Sequence, residues 1–393
     1  MTRILHITSG HRPTDIRILQ KECRALAEAG HDVALAAPDD GHHADTGPVR
    51  LIRVPPPRER LERFLGTPRR LLAIARREDA DLYHLHDSEL LPLARQLHRD
   101  GRRVVFDMHE NLPKDVLVKH WIPRPFRRMA ARCAAAGLRR CLDGVPVVFA
   151  ERSYADDFRW AKPSCVVLNM PIVAPLLAAA RQSAEHAPDR RLSSTRAIAY
   201  LGVVDEDHGS CVMLDAMGRL AHQGIATALE CVGPITDAHH RELRDLAVRL
   251  GLADVRWHGY LPPNEAWRTT ASGHVGLALL ARRPNLAESY PTKLFEYMAL
   301  GMPVIASDHP LYREVVDRFR CGLCVAPDDV EGLAQKLGWL LCHEHEARAM
   351  GRRGREAVLQ HFRWENEARK LVDFYGDLLA RPLHGTRIAG RAA

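Results

Sequence analysis

Lysine is scarce in this chain. It stands only at Lys21, Lys114, Lys119, Lys162, Lys293, Lys336 and Lys370, so arginine supplies nearly all of the 56 basic side chains behind a formal charge of +7. An arginine bias of this kind can reflect a GC-rich genome and carries little functional weight alone. No recognisable basic module accompanies it, and nucleic acid is therefore not an expected partner. Long apolar runs are also missing. None approaches the ~18 residues of a spanning helix, which excludes a transmembrane segment of that kind. The N-terminal stretch MTRILHITSG leads directly into a strand-like run with no cleavable apolar segment before it, which predicts a cytoplasmic protein. The nine cysteines are scattered, and Cys321 and Cys324 form a single C-x-x-C. A zinc site of that type needs a second ligand pair, so two small core-filling thiols are the simpler reading.

What is present fits a two-domain globular protein: 393 residues, 46% apolar and 27% charged. The first half alternates strand and helix. Strands are predicted at 4–8, 32–37, 51–54, 81–85, 103–107, 145–149 and 165–168. Helices are predicted at 16–29, 59–77, 88–99 and 125–141. This alternation implies a parallel sheet covered on both faces, with ligands at the carboxyl ends of its strands. Residues 169–196, rich in Ala, Arg and Ser and broken by prolines, read as a linker with at most a short helix. A second series starts at Ala197, with strands at 226–232, 275–280, 302–306 and 321–326 and helices from 237 and 330. The expected domains are 1–170, a linker at 171–196, and 197–361. A last helix at 362–379 and a mobile tail at 380–393 would follow.

The stretch AESYPTKLFEYMALGMPVIASD, Ala287 to Asp308, is the most informative. A polar loop carries Glu288, Ser289, Tyr290, Pro291, Thr292 and Lys293. An apolar helix follows and stops at Gly301, and a short buried strand comes next. Proline suits the first turn of a helix, so Thr292, Lys293 and Glu296 fall in its first two turns, near the positive end of the dipole. A helix N-terminus beside a lysine suits a phosphate. Glu288 and Glu296 are acceptor-only groups suited to sugar or ribose hydroxyls. A pyrophosphate between two hydroxylated rings is a nucleotide-sugar.

Two glutamates eight positions apart, followed by a helix, a Gly and PVIAS, resemble the signature of retaining glycosyltransferases of family 4. The variant PTKLFEYMALGMPVIAS is similar to the branch found in polysaccharide and glycan biosynthesis. The resemblance implies a GT-B fold, two doubly wound Rossmann-like domains facing a central cleft, and catalysis without metal or other cofactor. On this resemblance Lys293 holds the pyrophosphate, Glu296 the ribose and Glu288 the transferred sugar. His109, in FDMHENLP, faces that sugar from the other domain. Ser289, Tyr290, Thr292, Gly202 and Tyr260 join the donor site, the last at a place where family members contact the nucleobase.

Other positions carry two readings. In SGHRPTDIRILQKE the usual Gly-rich loop is reduced to Gly10. Asp15 and Arg17 either serve ligand, Asp15 on the acceptor side and Arg17 on the donor, or simply start a helix. In HLHDSELLPLA, His84, His86, Asp87 and Glu89 have metal-like density, but Asp87 also caps a helix, and the resemblance argues against a metal. Asp87, Glu110 and Asn111 are the remaining acceptor-side candidates. After the strand from Ala197, family members place basic residues where this chain has Val203, Val204 and His208. His208 and Arg17 are the substitutes at hand for balancing phosphate charge. The Arg-rich segment 121–140, with Trp121, Ile122 and Phe126, is either the solvated face of a packed helix or a peripheral contact with the inner face of an anionic membrane.

The reaction so implied moves a sugar from a UDP- or GDP-linked donor, with retention, to a glycan, a lipid-linked acceptor or a small metabolite. The rivals are another GT-B enzyme, such as a nucleotide-sugar epimerase or a phosphorylase, and a non-catalytic nucleotide- or glycan-binding homologue. Intact Glu288, Lys293, Glu296 and His109 favour transfer.

Overall fold

The structure, a computed structural model, describes residues 1–39, 41, 45–56, 62–119, 121–186 and 196–382. It divides into two compact units: residues 1–169 with the chain from 365 onward, and residues 170–364.

The first unit is built on β1 (Arg3–Ile7), β2 (Asp32–Pro38), β3 (Arg50–Val54), β4 (Leu82–Leu85), β5 (Val104–Met108), β6 (Val147–Phe149) and β7 (Ser164–Val166). Its seven strands lie in the order β3-β2-β1-β4-β5-β6-β7, and every pairing is parallel. Strands such as VVFDM in β5 are buried along their whole length, as a sheet covered on both faces requires. Strand order reverses between β1 and β4, and the loops at the carboxyl ends of those two strands therefore flank a crevice.

The second unit repeats the plan with β8 (Arg196–Leu201), β9 (Thr227–Val232), β10 (Val255–Gly259), β11 (Val275–Ala278), β12 (Val304–Ser307) and β13 (Gly322–Val325). The order is β10-β9-β8-β11-β12-β13, again parallel, with the reversal between β8 and β11. Met213, Leu214, Met217, Leu277, Ile305 and Leu337 are among the side chains that fill its core. Two doubly wound parallel sheets are the expected fold class.

Several details depart from expectation. The single helix predicted at 16–29 winds as a π-helix over Ile16–Cys23 before becoming α-helical at Arg24–Glu28. Its buried face carries Arg17, Lys21 and Glu22, and wide turns of this kind are frequent at functional sites. The supposed linker contains a 14-residue helix, Val173–His186, which belongs to the second unit. The rest of the linker, 187–195, lies outside the described residues, as do 59–61 of the predicted 59–77 helix and 383–393 in the tail. Strand β10 was unread in the sequence because RWHG has no apolar run. The last helix, Trp364–Ala380, packs with the first unit from Glu365 on. Its Glu367 accepts from the Leu168 amide at 2.9 Å, and Tyr375 reaches His84 at 2.6 Å. Among the described residues no helix is long and apolar enough to cross a membrane.

Candidate functional site

In the second unit the site is assembled where β8 ends and the helix Thr292–Leu300 begins. Pro291 is the N-cap of that helix and Gly301 closes it in the left-handed conformation. Tyr297, one turn inside, accepts from the Leu201 amide at 2.7 Å and donates to the Leu277 carbonyl at 3.1 Å, tying the helix to both strands of the crevice. Lys293 is 7% exposed. Its Nζ donates to the Tyr200 hydroxyl at 2.9 Å and lies 4.2 Å from the centre of that ring. Tyr200 in turn donates to the Val203 carbonyl at 2.5 Å. Among the described residues no carboxylate comes within ion-pair reach of Lys293. Burial lowers its pKa to about 8, against the opposing field of Glu296. The ammonium is therefore held mostly charged near neutrality with an aromatic ring and a hydroxyl for company, a setting that favours an incoming anion.

Gly202 makes this approach possible. It has φ +123°, and a Cβ there would stand 3.0 Å from Lys293 Nζ. Glu296 accepts from Trp267 Nε1 at 3.2 Å, so one of its oxygens is oriented by an indole. His208 is bonded to Asp205 at 2.6 Å, and the same Asp205 caps the short turn 206–208. This turn is fastened to the chain leading into Glu288 by the Ala281 amide on the Asp207 carbonyl at 2.7 Å and by Arg283 on the Asp207 carboxylate at 2.6 Å. Glu288 ends the turn Pro284–Ala287, and the Tyr290 ring meets Phe295 edge-on at 5.4 Å. Ser289 and Thr292 complete the loop. Tyr260 stands 64% exposed beyond β10, while its neighbour His258 is bonded to Glu230 at 2.7 Å. Val203 is exposed and Val204 buried, and neither brings charge to the turn.

In the first unit the loop after β1 wraps around a carboxylate. Asp87 Oδ2 accepts from Thr8 Oγ1 and the Ser9 amide, both at 2.6 Å, and from the Gly10 amide at 3.2 Å. His11 Nδ1 sits 2.9 Å from its other oxygen. Burial alone would lower the His11 pKa, but the hydrogen bond and charge of Asp87 more than offset it and raise it to about 9. Asp87 itself, though burial opposes ionisation, is held well below the usual carboxylate range by His11 and the Thr8 and Ser9 donors. His11 meets His109 edge-on at 4.9 Å. One ligand atom from each of His11, Asp87 and His109 lies within 4.8 Å of the others, although the loop already takes up the Asp87 oxygens. His109 Nδ1 stands 3.4 Å from Asp107 Oδ2.

Four sequence-predicted residues have partners within the protein. Arg17, expected at a donor phosphate, is 8% exposed and grips Asp107 with both Nε (3.0 Å) and a terminal nitrogen (2.7 Å). Its charge is spent inside the first unit. Asp15 caps its helix by accepting from the Ile18 amide at 2.9 Å. Asp87 anchors the 8–11 loop. Asn111 caps Leu112–Val118 and donates to Asp157 at 2.8 Å. Glu110 remains exposed on its loop. Sequence reasoning missed Asp107, Tyr200, Trp267 and His11. The D-x-H spacing at the end of β5 was the available signal for Asp107, since residues two apart share a strand face.

Two family models match the chain: Glycosyltransferase Family 4 over residues 17–155 and Glycosyl transferases group 1 over residues 183–357. The chain belongs to this glycosyltransferase family. Its members' similarity is partial at the level of single relatives. An MMP alpha-(1->4)-mannosyltransferase of Mycolicibacterium hassiacum is 31% identical over 40% of this chain and 36% of that protein. A GDP-mannose-dependent alpha-(1-6)-phosphatidylinositol monomannoside mannosyltransferase of Mycobacterium tuberculosis is 29% identical over 63% of this chain and 66% of that protein. The matches span only 36–45% of the length of the three most significant curated relatives. Among solved structures, the sucrose-phosphate synthase of Thermosynechococcus elongatus superposes with a TM-score of 0.74 at 21% identity, covering 97% of this chain and 100% of the other. That glycosyltransferase shares the fold, two Rossmann-like units of the GT-B type.

Proposed function

We propose that the chain is a retaining glycosyltransferase that moves a sugar from a nucleotide-sugar, UDP- or GDP-linked, to a hydroxyl of an acceptor. The observation that carries this reading is Lys293: a buried ammonium with no carboxylate partner among the described residues, beside a glycine turn at the carboxyl end of β8. A donor pyrophosphate is the anion that such a site suits. Glu296, oriented by Trp267, takes the ribose, and Glu288 takes hydroxyls of the transferred sugar. His109 is the first unit's candidate for a sugar contact. The bond from the anomeric carbon to the leaving phosphate breaks as the bond to the acceptor oxygen forms on the same face. The acceptor's proton passes to the departing phosphate, so no separate base is required, and the chemistry proposed here uses no metal.

The acceptor we favour is lipid-linked or carried on a glycan. Leu117, Trp121, Phe126 and Met129 are 40–68% exposed, and Arg124, Arg128 and Arg132 lie exposed along the same helical hairpin. Apolar side chains among arginines suit an anionic bilayer surface. Joint replacement of Trp121 and Phe126 by Ala should weaken co-sedimentation with anionic vesicles and leave neutral vesicles unaffected. Equal binding by the variant would remove the membrane contact and favour a small soluble acceptor.

The direct test is a thermal-shift and calorimetric screen of the whole chain against UDP, GDP, ADP and dTDP. A nucleotide at about ten times its Kd should stabilise the fold by about 1.4 kcal/mol. Nucleotide release from the matching sugar donor then establishes turnover. Binding without turnover across donors and acceptors would favour the non-catalytic reading, to which the uncharged Val203 and Val204 would then belong. No binding at all would sink both.

A further inference from the structure

Three histidines share one face of the first sheet. His6 on β1 pairs in register with His84 on β4, and His86 follows two residues later, on the same side of the strand. Their ring centres are 4.6 Å (His6–His84), 4.6 Å (His84–His86) and 5.2 Å (His6–His86) apart. The π-helix lowers Glu22 onto them. All four side chains are 0–1% exposed, and one ligand atom from each lies within 4.8 Å of all the others.

The hydrogen bonds of this quartet are half made. His84 Nδ1 meets the Tyr375 hydroxyl at 2.6 Å. His86 Nδ1 faces Asp107 Oδ2 at 3.3 Å, and Arg17 fixes that carboxylate from behind. His86 Nε2 and His6 Nδ1 stand 2.9 Å apart. By contrast His84 Nε2, His6 Nε2 and both oxygens of Glu22 have no hydrogen-bond partner among the described residues, although buried polar groups nearly always find one. Arg17 lies 3.1 Å from Glu22 Oε1 as a charge. Oε2 is turned to the histidines, 3.9 Å from His84 Nδ1 and 4.0 Å from His86 Nδ1.

We propose that His6, His84, His86 and Glu22 form a zinc-binding site inside the first unit. Three imidazoles and one carboxylate are a borderline-soft donor set that suits Zn2+ in a closed tetrahedral shell. Tyr375 and Asp107 hydrogen-bond Nδ1 of His84 and of His86, as partners that orient metal-bound histidines do. A bound ion would draw the four atoms, which lie within 4.8 Å of one another, to the ~2.0–2.1 Å reach of Zn–N and Zn–O bonds. With four protein ligands and no exposed face the ion is structural. It stands apart from sugar transfer, and the proposal holds or fails independently of that reading.

The test uses the full chain, grown with zinc and purified without chelators. Metal analysis should find about one zinc per chain, and His84→Gln and Glu22→Gln should each bring it close to zero with the far-ultraviolet dichroism kept. Stripping with a chelator should lower Tm, and added Zn2+ should restore it. Replacement by Co2+ should give the intense visible absorption of a tetrahedral site, which needs no variant and so decides the matter even where a substitution prevents folding. Wild-type protein with less than a tenth of an equivalent of zinc, no Tm response to Zn2+ and no tetrahedral Co2+ spectrum would overturn the site. Stoichiometric zinc that persists unchanged in both folded variants would overturn it equally, by placing the ion elsewhere.

Discussion

The two units share a strand order but bury charge differently. In the first, Arg17, Lys21, Glu22, Asp87, Asp107, Glu151 and Glu367 are all under 9% exposed, and most are partnered: Arg17 with Asp107, Asp87 with the 8–11 loop, Lys21 with Asn169 at 2.6 Å. In the second, among the described residues, the buried Lys, Arg, Asp and Glu side chains are Glu230 and Lys293. Glu230 is held by Arg256 and by His258, and Lys293 donates to the Tyr200 hydroxyl. A paired buried charge is a commitment to the fold, because losing one partner strands the other. An ammonium kept from carboxylates is a commitment to something that arrives later.

The comparison can be broken at its strongest point first. Arg17→Met should cost about 3–5 kcal/mol, the usual range for stranding one member of a buried pair, read by urea denaturation. A loss under 1 kcal/mol would mean that Asp107 does not depend on it. Lys293→Met should behave in the opposite way. Transfer should fall at least ~100-fold, while Tm stays at or above wild type because burial of the ammonium opposes folding. Glu288→Ala should lose activity to the same extent. Wild-type turnover in either variant would remove the donor-site assignment.

A smaller effect is expected at Gly202→Ala. The positive φ and the 3.0 Å approach to Lys293 predict about 1–3 kcal/mol of strain together with weaker nucleotide binding, measurable by calorimetry. If stability alone changed, the glycine would serve the turn and not the ligand. The smallest effect concerns His11. Its folded pKa is raised from 6.5 to about 9, so its pairing with Asp87 contributes fully below pH 6.5 and is lost as pH rises through about 9. The Tm difference between wild type and His11→Asn should therefore shrink across that window. A difference that stays constant would mean that the pairing needs no proton.

The sequence carried the architecture well where elements are apolar and repetitive. VVFDM and VIAS announce buried strands, and Pro291 and Gly301 bracket a helix by chemistry that acts within a few residues. Lys293 and Glu296 could be placed for the same reason. Arg17 carried two readings because an arginine near a helix start looks solvated until its partner is known, and Asp107 is ninety residues away in sequence. The metal-like density of His84, His86, Asp87 and Glu89 could not be resolved in sequence for a related reason. Alternation on a strand separates Asp87 from the two histidines, and the residues that join them, His6 and Glu22, come from elsewhere in the chain. Strand β10 and the 173–186 helix were hidden by weak local patterns that packing overrides.

The hydrogen bond between Tyr375 and His84 spans almost the whole chain, and it sets an order of events during synthesis. At roughly 5–20 residues per second, residues 170–364, the entire second unit, take on the order of 10–40 s to emerge. For that time the first unit lacks its last helix, and His84 lacks the hydroxyl that covers it. The second unit can finish folding first although it begins later. A chain cut before Glu365 would therefore leave the earlier-made half incomplete, and the damage from a late stop codon would appear around histidines laid down near the start.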